Sequence, residues 1–286
     1  MLKTLNQGIH SGVPMADYIA DPAPAPSLST GTACAIINEC PAAARARHPR
    51  LSPEYEQSHS SASDIGSIAH DVLLMDDRSR VVLVQATDWR TKDAKAQREQ
   101  AQAEGKITIL ADRWPKIEAM TKIARDALGK VANDLVGDPD GMEYEQTIIW
   151  QEGGPWCRSR PDILFRNFDY AIDYKTTATS ANPNAVAKLI ANQGYDVQAA
   201  LVRAGTHAIT GKTPDVIFMV QEVDPPYLVS FVGMAPMFAE MADKKLERAV
   251  ATWKSCITTG RWPGYPAQVA WVDPPPWEIA RYEAMA

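Results

Sequence analysis

The chain has 286 residues, 45% of them hydrophobic and 22% charged, and a formal net charge of −6. That length can bury a substantial core in one large domain, or in one domain with an appendage, and the composition is ordinary for a soluble globular protein. The acidic balance argues against a general nucleic-acid coat protein, and no run approaches the roughly 20 apolar residues that span a bilayer.

The opening residues, MLKTLNQGIHSGVP, lack the apolar core of a secretion signal, so a cytoplasmic location is expected. Four scattered cysteines (Cys34, Cys40, Cys157 and Cys256) form no C-x-x-C pair. This argues against a zinc ribbon or a disulfide framework, and buried free thiols are expected. Residues 12–53 are rich in Pro, Ala and Ser and read as an extended arm packed on the main domain, with a flexible start. Within it lie one short helix, somewhere in Leu28–Cys40, and a basic cluster of Arg45, Arg47, His48 and Arg50. The expected division is an arm over 1–60, a main domain over 61–265 and an irregular strap over 266–286.

Ser63–Met75 has helical spacing through Ile65, Ile68, Ala69, Val72 and Leu73, with Ser63 or Asp64 able to cap it. Gly66 and His70 stand one helical turn apart on it. Residues 89–104 are polar and helix-prone, either a solvated helix or a surface that touches phosphates. A short strand at Ile107–Leu110 and a helix over Asp112–Val136 follow. Strands are expected at Glu143–Trp150, Pro155–Phe165 and Phe168–Thr177, then a helix over Asn182–Ala204 interrupted near Gly194. A strand pair, Asp215–Val223 and Tyr227–Met234, spans Asp224-Pro225-Pro226 and leads into a helix over Met237–Thr258. This order predicts an α/β fold with a mixed central β-sheet flanked by helices.

The stretch Arg160–Thr177 (RPDILFRNFDYAIDYKTT) carries the chemistry. With Asn167-Phe168 as a two-residue turn, Arg166 pairs with Asp169 and Asp162 falls opposite Asp173. Directly paired residues share a face, and the period of two adds Lys175 to it. Two carboxylates so close repel, and a hard divalent cation such as Mg²⁺ or Mn²⁺ would relieve the repulsion. The bland alternative is a salt bridge between Lys175 and one aspartate on a solvated face. Taken singly, His70 reads as a core histidine, Gln198 as a helix-surface residue, and Arg158 and Arg160 as partners for Glu143 or Glu145.

Together these blocks resemble the PD-(D/E)XK nuclease superfamily, whose signature is an Asp on one strand and an acidic-x-Lys on the next. Here they are Pro161-Asp162 and Asp173-Tyr174-Lys175. The resemblance is closest to the RecE-type (exodeoxyribonuclease VIII) branch, related to RecB-like and phage lambda-type exonucleases. GSIAHDVLL at 66–74 is similar to that branch's G-x-x-x-H helix, and CRSRPD at 157–162 to its approach to the first aspartate. DYKTTA at 173–178 and YDVQAA at 195–200 resemble its D-x-K-T-T-A strand end and Y-x-V-Q helix. The resemblance implies that His70, Asp162, Asp173 and the backbone carbonyl of Tyr174 hold Mg²⁺, for which Mn²⁺ can substitute. It implies that Lys175 orients the attacking water, with Gln198 beside it, and that Glu145 is a candidate additional acidic contact. Arg158, Arg160 and Tyr195 would contact DNA. The implied activity is a 5′→3′ exonuclease on double-stranded DNA ends in phage-type recombination, built as a ring-shaped homo-oligomer, a tetramer, beside a single-strand annealing protein. An endonuclease on the same fold, or a catalytically silent DNA-binding relative, are the alternatives. Related enzymes often carry Q-x-x-x-Y on the late helix, where this chain has Val202.

Overall fold

A computed structural model of the chain describes residues 3–52, 64–74, 78–138, 141–151 and 153–285. Its first part comprises β1 (Gly8–His10), α1 (Met15–Ile19), α2 (Thr30–Asn38), α3 (Pro41–Ala46) and α4 (Asp64–Leu74). Next come β2 (Val81–Val84), α5 (Lys92–Ala103), β3 (Ile107–Leu110) and α6 (Trp114–Val136). The centre is built by β4 (Met142–Tyr144), β5 (Thr147–Gln151), β6 (Trp156–Ser159), β7 (Ile163–Phe165) and β8 (Tyr170–Thr177). The chain closes with α7 (Pro183–Gln193), α8 (Tyr195–Thr210), β9 (Asp215–Glu222), β10 (Val229–Gly233), α9 (Pro236–Thr259) and α10 (Pro276–Glu283). The expected Ser63 cap and Met75 lie outside the described residues.

The main sheet has the order β10-β9-β8-β7-β4; β8 and β9 run parallel and the other pairs antiparallel, so it is mixed. Alternation along the strands sends side chains to two cores. Leu164, Ala171, Val216 and Phe218 join the core under α2, α8 and α9, with Trp150 and Trp253. Ile163, Phe165, Ile172, Tyr174 and Met219 face α4 and α6. Asp173 and Lys175 share the parity of Ala171, which puts them on the α8 side, whereas Asp162 stands in the break before β7.

Two expected strands are interrupted. The first breaks at Glu145-Gln146 between β4 and β5, and the second at Arg160–Asp162 between β6 and β7. β4 and β7 belong to the main sheet, whereas β5 and β6 pair in a second sheet of order β1-β5-β6. One hairpin therefore passes from sheet to sheet at a shared corner. The Glu145 N–H donates to the Asp162 carbonyl across it (2.9 Å), and Glu145 has φ +53°, left-handed for a residue with a side chain. Hydrophobic periodicity does not register such a corner, because each half keeps its own alternation.

The turn after β7 also differs in detail. The expected register holds, with Ile163 opposite Ile172 and Leu164 opposite Ala171. The left-handed residue, however, is Phe168 (φ +58°), while the Asn167 side chain accepts from the Asp169 N–H at 3.1 Å. The predicted interruption near Gly194 is a full break: φ +72° there ends α7 and begins α8. Residues 89–104 fit the solvated reading, since Ala94 and Ala101 are the buried residues of α5 among those described.

Over its described residues the arm is not extended: it forms the three helices α1–α3 and guards both edges of the second sheet. β1 pairs with β5 on one edge, and Leu28 bridges Cys157 on the other, with backbone bonds to Trp156 and Arg158. The strap expectation also needs correcting. Residues 276–283 are helical, and Trp271, Val272 and Trp277 are 94%, 87% and 68% exposed, so this tail does not pack along the domain. The cysteines are free, with Cys40, Cys157 and Cys256 buried.

What fastens the arm is a buried charge cluster. Asp21 is fully buried with φ +67° and accepts from the N–H (2.9 Å) and hydroxyl (2.6 Å) of Ser27. His48 Nε2 lies 3.2 Å away and Arg158 3.1 Å away. The Arg50 N–H donates to His48 Nδ1, which leaves Nε2 to donate to the Ser27 carbonyl (3.2 Å) beside Asp21. Burial alone would raise the Asp21 carboxyl, but His48, Arg158 and Ser27 outweigh it and hold it below its ordinary value. A group depressed in this way stabilises the fold above the ordinary carboxylate range and loses that contribution as pH falls through its folded value. Asp21→Asn keeps a residue that tolerates the left-handed backbone but strands Arg158, so stability at pH 7 should fall by roughly 3 kcal/mol. Denaturant melts should show this deficit shrinking as pH drops below about 4.

Candidate active site

The site sits at the corner between the sheets, where α4 and α8 approach the main sheet from opposite sides. α4 comes close because position 66 is glycine: a Cβ there would lie 2.7 Å from Thr176 Oγ1 on β8. One turn later His70 reaches the pocket. Its Nε2 stands 3.0 Å from Asp162 Oδ1 and 3.1 Å from Glu145 Oε1. His70, Glu145 and Asp162 thus offer three ligand atoms within 4.8 Å of one another.

Asp162 is held from its other side, where Oδ2 accepts the Tyr174 N–H at 2.6 Å. The structure therefore brings the Tyr174 main chain against Asp162 through its amide. Asp173 lies outside the three-residue group. Its Oδ1 accepts from Gln198 Nε2 at 2.7 Å, and its Oδ2 is 2.6 Å from Lys175 Nζ. Lys175 in turn lies over the Tyr195 ring, 4.9 Å from its centre, and that ring stacks on Phe218. Tyr195, expected at the DNA, backs the lysine. The expected Lys175–aspartate salt bridge exists as well, but in a buried pocket and not on a solvated face: Asp173 is 3% exposed.

Burial would lower the His70 imidazole, yet Asp162, Asp71 and Glu145 around it raise it well above its usual value. Burial would raise Asp162, but the His70 and Lys175 charges and the Tyr174 N–H prevail and depress it. Asp173 goes the other way: burial, reinforced by the Asp162 charge and only partly opposed by Lys175, pushes its carboxyl up to about 6. Lys175 is raised, because Asp173 and Asp162 overcome its burial, so it remains an ammonium at neutral pH.

The two arginines expected at phosphates line the cleft beside the group and are engaged by partners within the chain. Arg158 is 3% exposed, and its Nη1 donates to the Ser27 carbonyl (2.8 Å) and hydroxyl (2.7 Å) beside Asp21. It holds the arm. Arg160 pairs through Nε with Glu145 Oε2, and its Nη1 donates to the Val13 carbonyl (2.7 Å) and Thr147 Oγ1 (3.1 Å). For Arg160 the plainer reading, a pair with Glu145, is the one observed. A cleft of about 540 Å³ opens beside the group, between Tyr18, Thr30 and Arg47 of the arm and Glu145, Asp162 and Gln198.

A divalent cation suits these residues. Glu145, Asp162 and Asp173 are all buried here, an expensive arrangement for neighbouring carboxylates that a dication would relieve. Two carboxylates and one imidazole form a donor set for a divalent ion. Glu145 is a more central member than the sequence suggested, since three of its neighbours converge on it. The signal that could have found it is the adjacent polar pair Glu145-Gln146, interrupting a β-prone run.

A family model described as "PDDEXK-like domain of unknown function (DUF3799)" matches residues 32–273. No curated protein matches the chain. Among solved structures, the chain is similar to a crystal structure from Eubacterium rectale described as "Putative exonuclease". The identity is 12% and the TM-score 0.55, with 91% of this chain and 97% of that one covered; at that identity the likeness concerns the fold. A second structure, SSO0001, is 13% identical over 68% of this chain and 88% of its own, and its TM-score of 0.26 carries no argument. The match from residue 32 to 273 takes in the His70 helix, the Asp162–Lys175 hairpin and the Gln198 helix. The chain belongs to the DUF3799 family of PDDEXK-like domains and so to the PD-(D/E)XK nuclease superfamily.

Proposed function

We propose that the chain is a metal-dependent exodeoxyribonuclease that hydrolyses phosphodiester bonds at double-stranded DNA ends. The observation that carries this reading is the convergence of His70, Glu145 and Asp162 beside the Lys175–Asp173–Gln198 chain. The choice of exonuclease draws support from the description of the Eubacterium rectale structure. The 5′→3′ direction, the place in phage-type recombination beside a single-strand annealing protein and the ring-shaped homo-oligomer rest on the RecE-type motifs. Among the described residues no helix is long and apolar enough to cross a membrane.

His70, Glu145 and Asp162 would hold the ion, with Asp173 and the Tyr174 carbonyl at its border; Mg²⁺ is the proposed metal and Mn²⁺ its substitute. When bound, such an ion supplies charge to polarise a phosphoryl oxygen and to acidify a water. Lys175 does the chain's own part. Its ammonium, aimed by Asp173 and backed by Tyr195, can hold the attacking water and donate to the phosphoryl oxygen as negative charge builds there. Gln198 fixes the Asp173 carboxylate that aims it, a positioning role.

Lys175→Ala should reduce hydrolysis about 10²–10³-fold, the cost of one lost donor to developing charge, while leaving Mn²⁺ binding intact. Asp162→Asn should abolish hydrolysis. End-labelled duplex digested with Mg²⁺ should release the 5′ label first, and covalently closed circles should survive. Cleavage of the circles would instead establish an endonuclease, and unaltered turnover in Asp162→Asn would remove the site.

Metal binding also has a predicted pH dependence. His70 is protonated in the metal-free site and must lose that proton to act as a ligand. Mn²⁺ affinity should therefore rise with pH across the neutral range. Calorimetry in two buffers of different ionisation enthalpy should register proton release, and His70→Ala should flatten both effects.

A further inference from the structure

We infer that Arg160 is a positioning residue that sets the affinity of the metal group, and that through it this affinity depends on the docked N-terminal arm. The inference rests on the metal-dependent reading above.

Glu145 is the least self-sufficient member of the group. It stands at the sheet-switching corner with φ +53°, a conformation that a side-chain-bearing residue keeps only when its surroundings impose it. Two bonds do so. Its N–H is fastened to the Asp162 carbonyl, and its Oε2 is engaged by Arg160 Nε. With Oε2 occupied, Oε1 alone turns towards His70 Nε2, 3.1 Å away. Arg160 thus decides which carboxylate oxygen faces the ion and in what direction. Partners behind a ligand commonly govern affinity in this way.

Arg160 is itself held by the arm. Its Nη1 donates to the Val13 carbonyl, and its guanidinium lies over the Tyr18 ring, 5.7 Å from the centre. Thr147 Oγ1, at the start of β5, accepts from the same Nη1. The planar guanidinium can satisfy Glu145, Val13 and Thr147 at once because its N–H groups diverge in one plane; an ammonium cannot. Val13 and Tyr18 are separated from Arg160 by more than a hundred residues in sequence, so the metal group is complete only when the arm is seated.

The test is Mn²⁺ titration of the full chain, with free ion followed by electron paramagnetic resonance and folding by circular dichroism. Arg160→Gln should weaken Mn²⁺ binding about 10–100-fold. Arg160→Lys, which preserves charge and bulk and serves if the glutamine variant does not fold, should fall between it and the wild type. Tyr18→Leu should weaken binding about two- to fivefold in the wild-type background, the worth of a partly exposed cation–π contact. In the Arg160→Gln background it should cost nothing further. A lysine or glutamine variant that binds Mn²⁺ as tightly as the wild type overturns the positioning role. Additive losses from Tyr18→Leu and Arg160→Gln overturn the link to the arm. A wild-type protein that takes up no Mn²⁺ overturns the metal-dependent reading and this inference with it.

Discussion

Glu145, Asp162 and Asp173 are buried within one pocket, and their mutual repulsion is the constraint around which the neighbouring elements are arranged. Each is answered by its own cation: Arg160 faces Glu145, His70 faces Asp162 and Lys175 faces Asp173. The three cations arrive from different places, namely the approach to β7, the helix α4 and the strand β8. A buried carboxylate without such a partner would protonate or destabilise the fold. The pairing therefore ties α4 and both sheets to a single point.

The sheet-switching hairpin makes that convergence possible. In a flat continuation of β4 into β5 and of β6 into β7, Glu145 and Asp162 would lie within a regular ladder, and the pleat would dictate where each side chain points. Breaking both strands at the same level frees the two backbones to turn their carboxylates towards His70. The arm then closes the edges that the small second sheet would leave open, with β1 on one side and Leu28 on the other. The Asp21 cluster holds this wrapping in place through Arg158, two residues from Arg160 on the same chain segment. Support for the arm and support for the metal group are thus neighbours in sequence and divide the work.

Much of this was legible in the sequence because it is local. Asp162 opposite Asp173, with Lys175 on the same face, follows from the turn position and the two-residue period alone, and the mixed sheet follows from the order of elements. His70 and Gln198 could be singled out only through the ordered motifs, since one residue on a helix carries no direction. What escaped is non-local. Arg158 reads as a surface cation until the arm is folded over it, and no pattern in residues 12–53 reveals that Asp21 will be buried. The prolines there suggested an extended path, whereas several of them bound short helices. Glu145 was undervalued because its role depends on a positive φ, which alternation in a β-prone run does not encode.

The opposed behaviour of the two facing aspartates gives the site its division of labour. Asp162 gathers a histidine, an amide N–H and a distant ammonium, which outweigh its burial and hold it below its ordinary value. Asp173, one strand away, is raised by its burial and by the Asp162 charge, so it is the carboxylate whose charge is the more readily exchanged. In the metal-free pocket three anions meet three cations. A dication bound there, with the His70 proton released to solvent, would leave the pocket with one more unit of positive charge, complementary to the single negative charge of a phosphodiester. Lys175 stays protonated throughout and needs no change of state to meet the charge that develops on phosphorus. An acidic chain can in this way present a site that attracts an anionic substrate only when its ion is aboard.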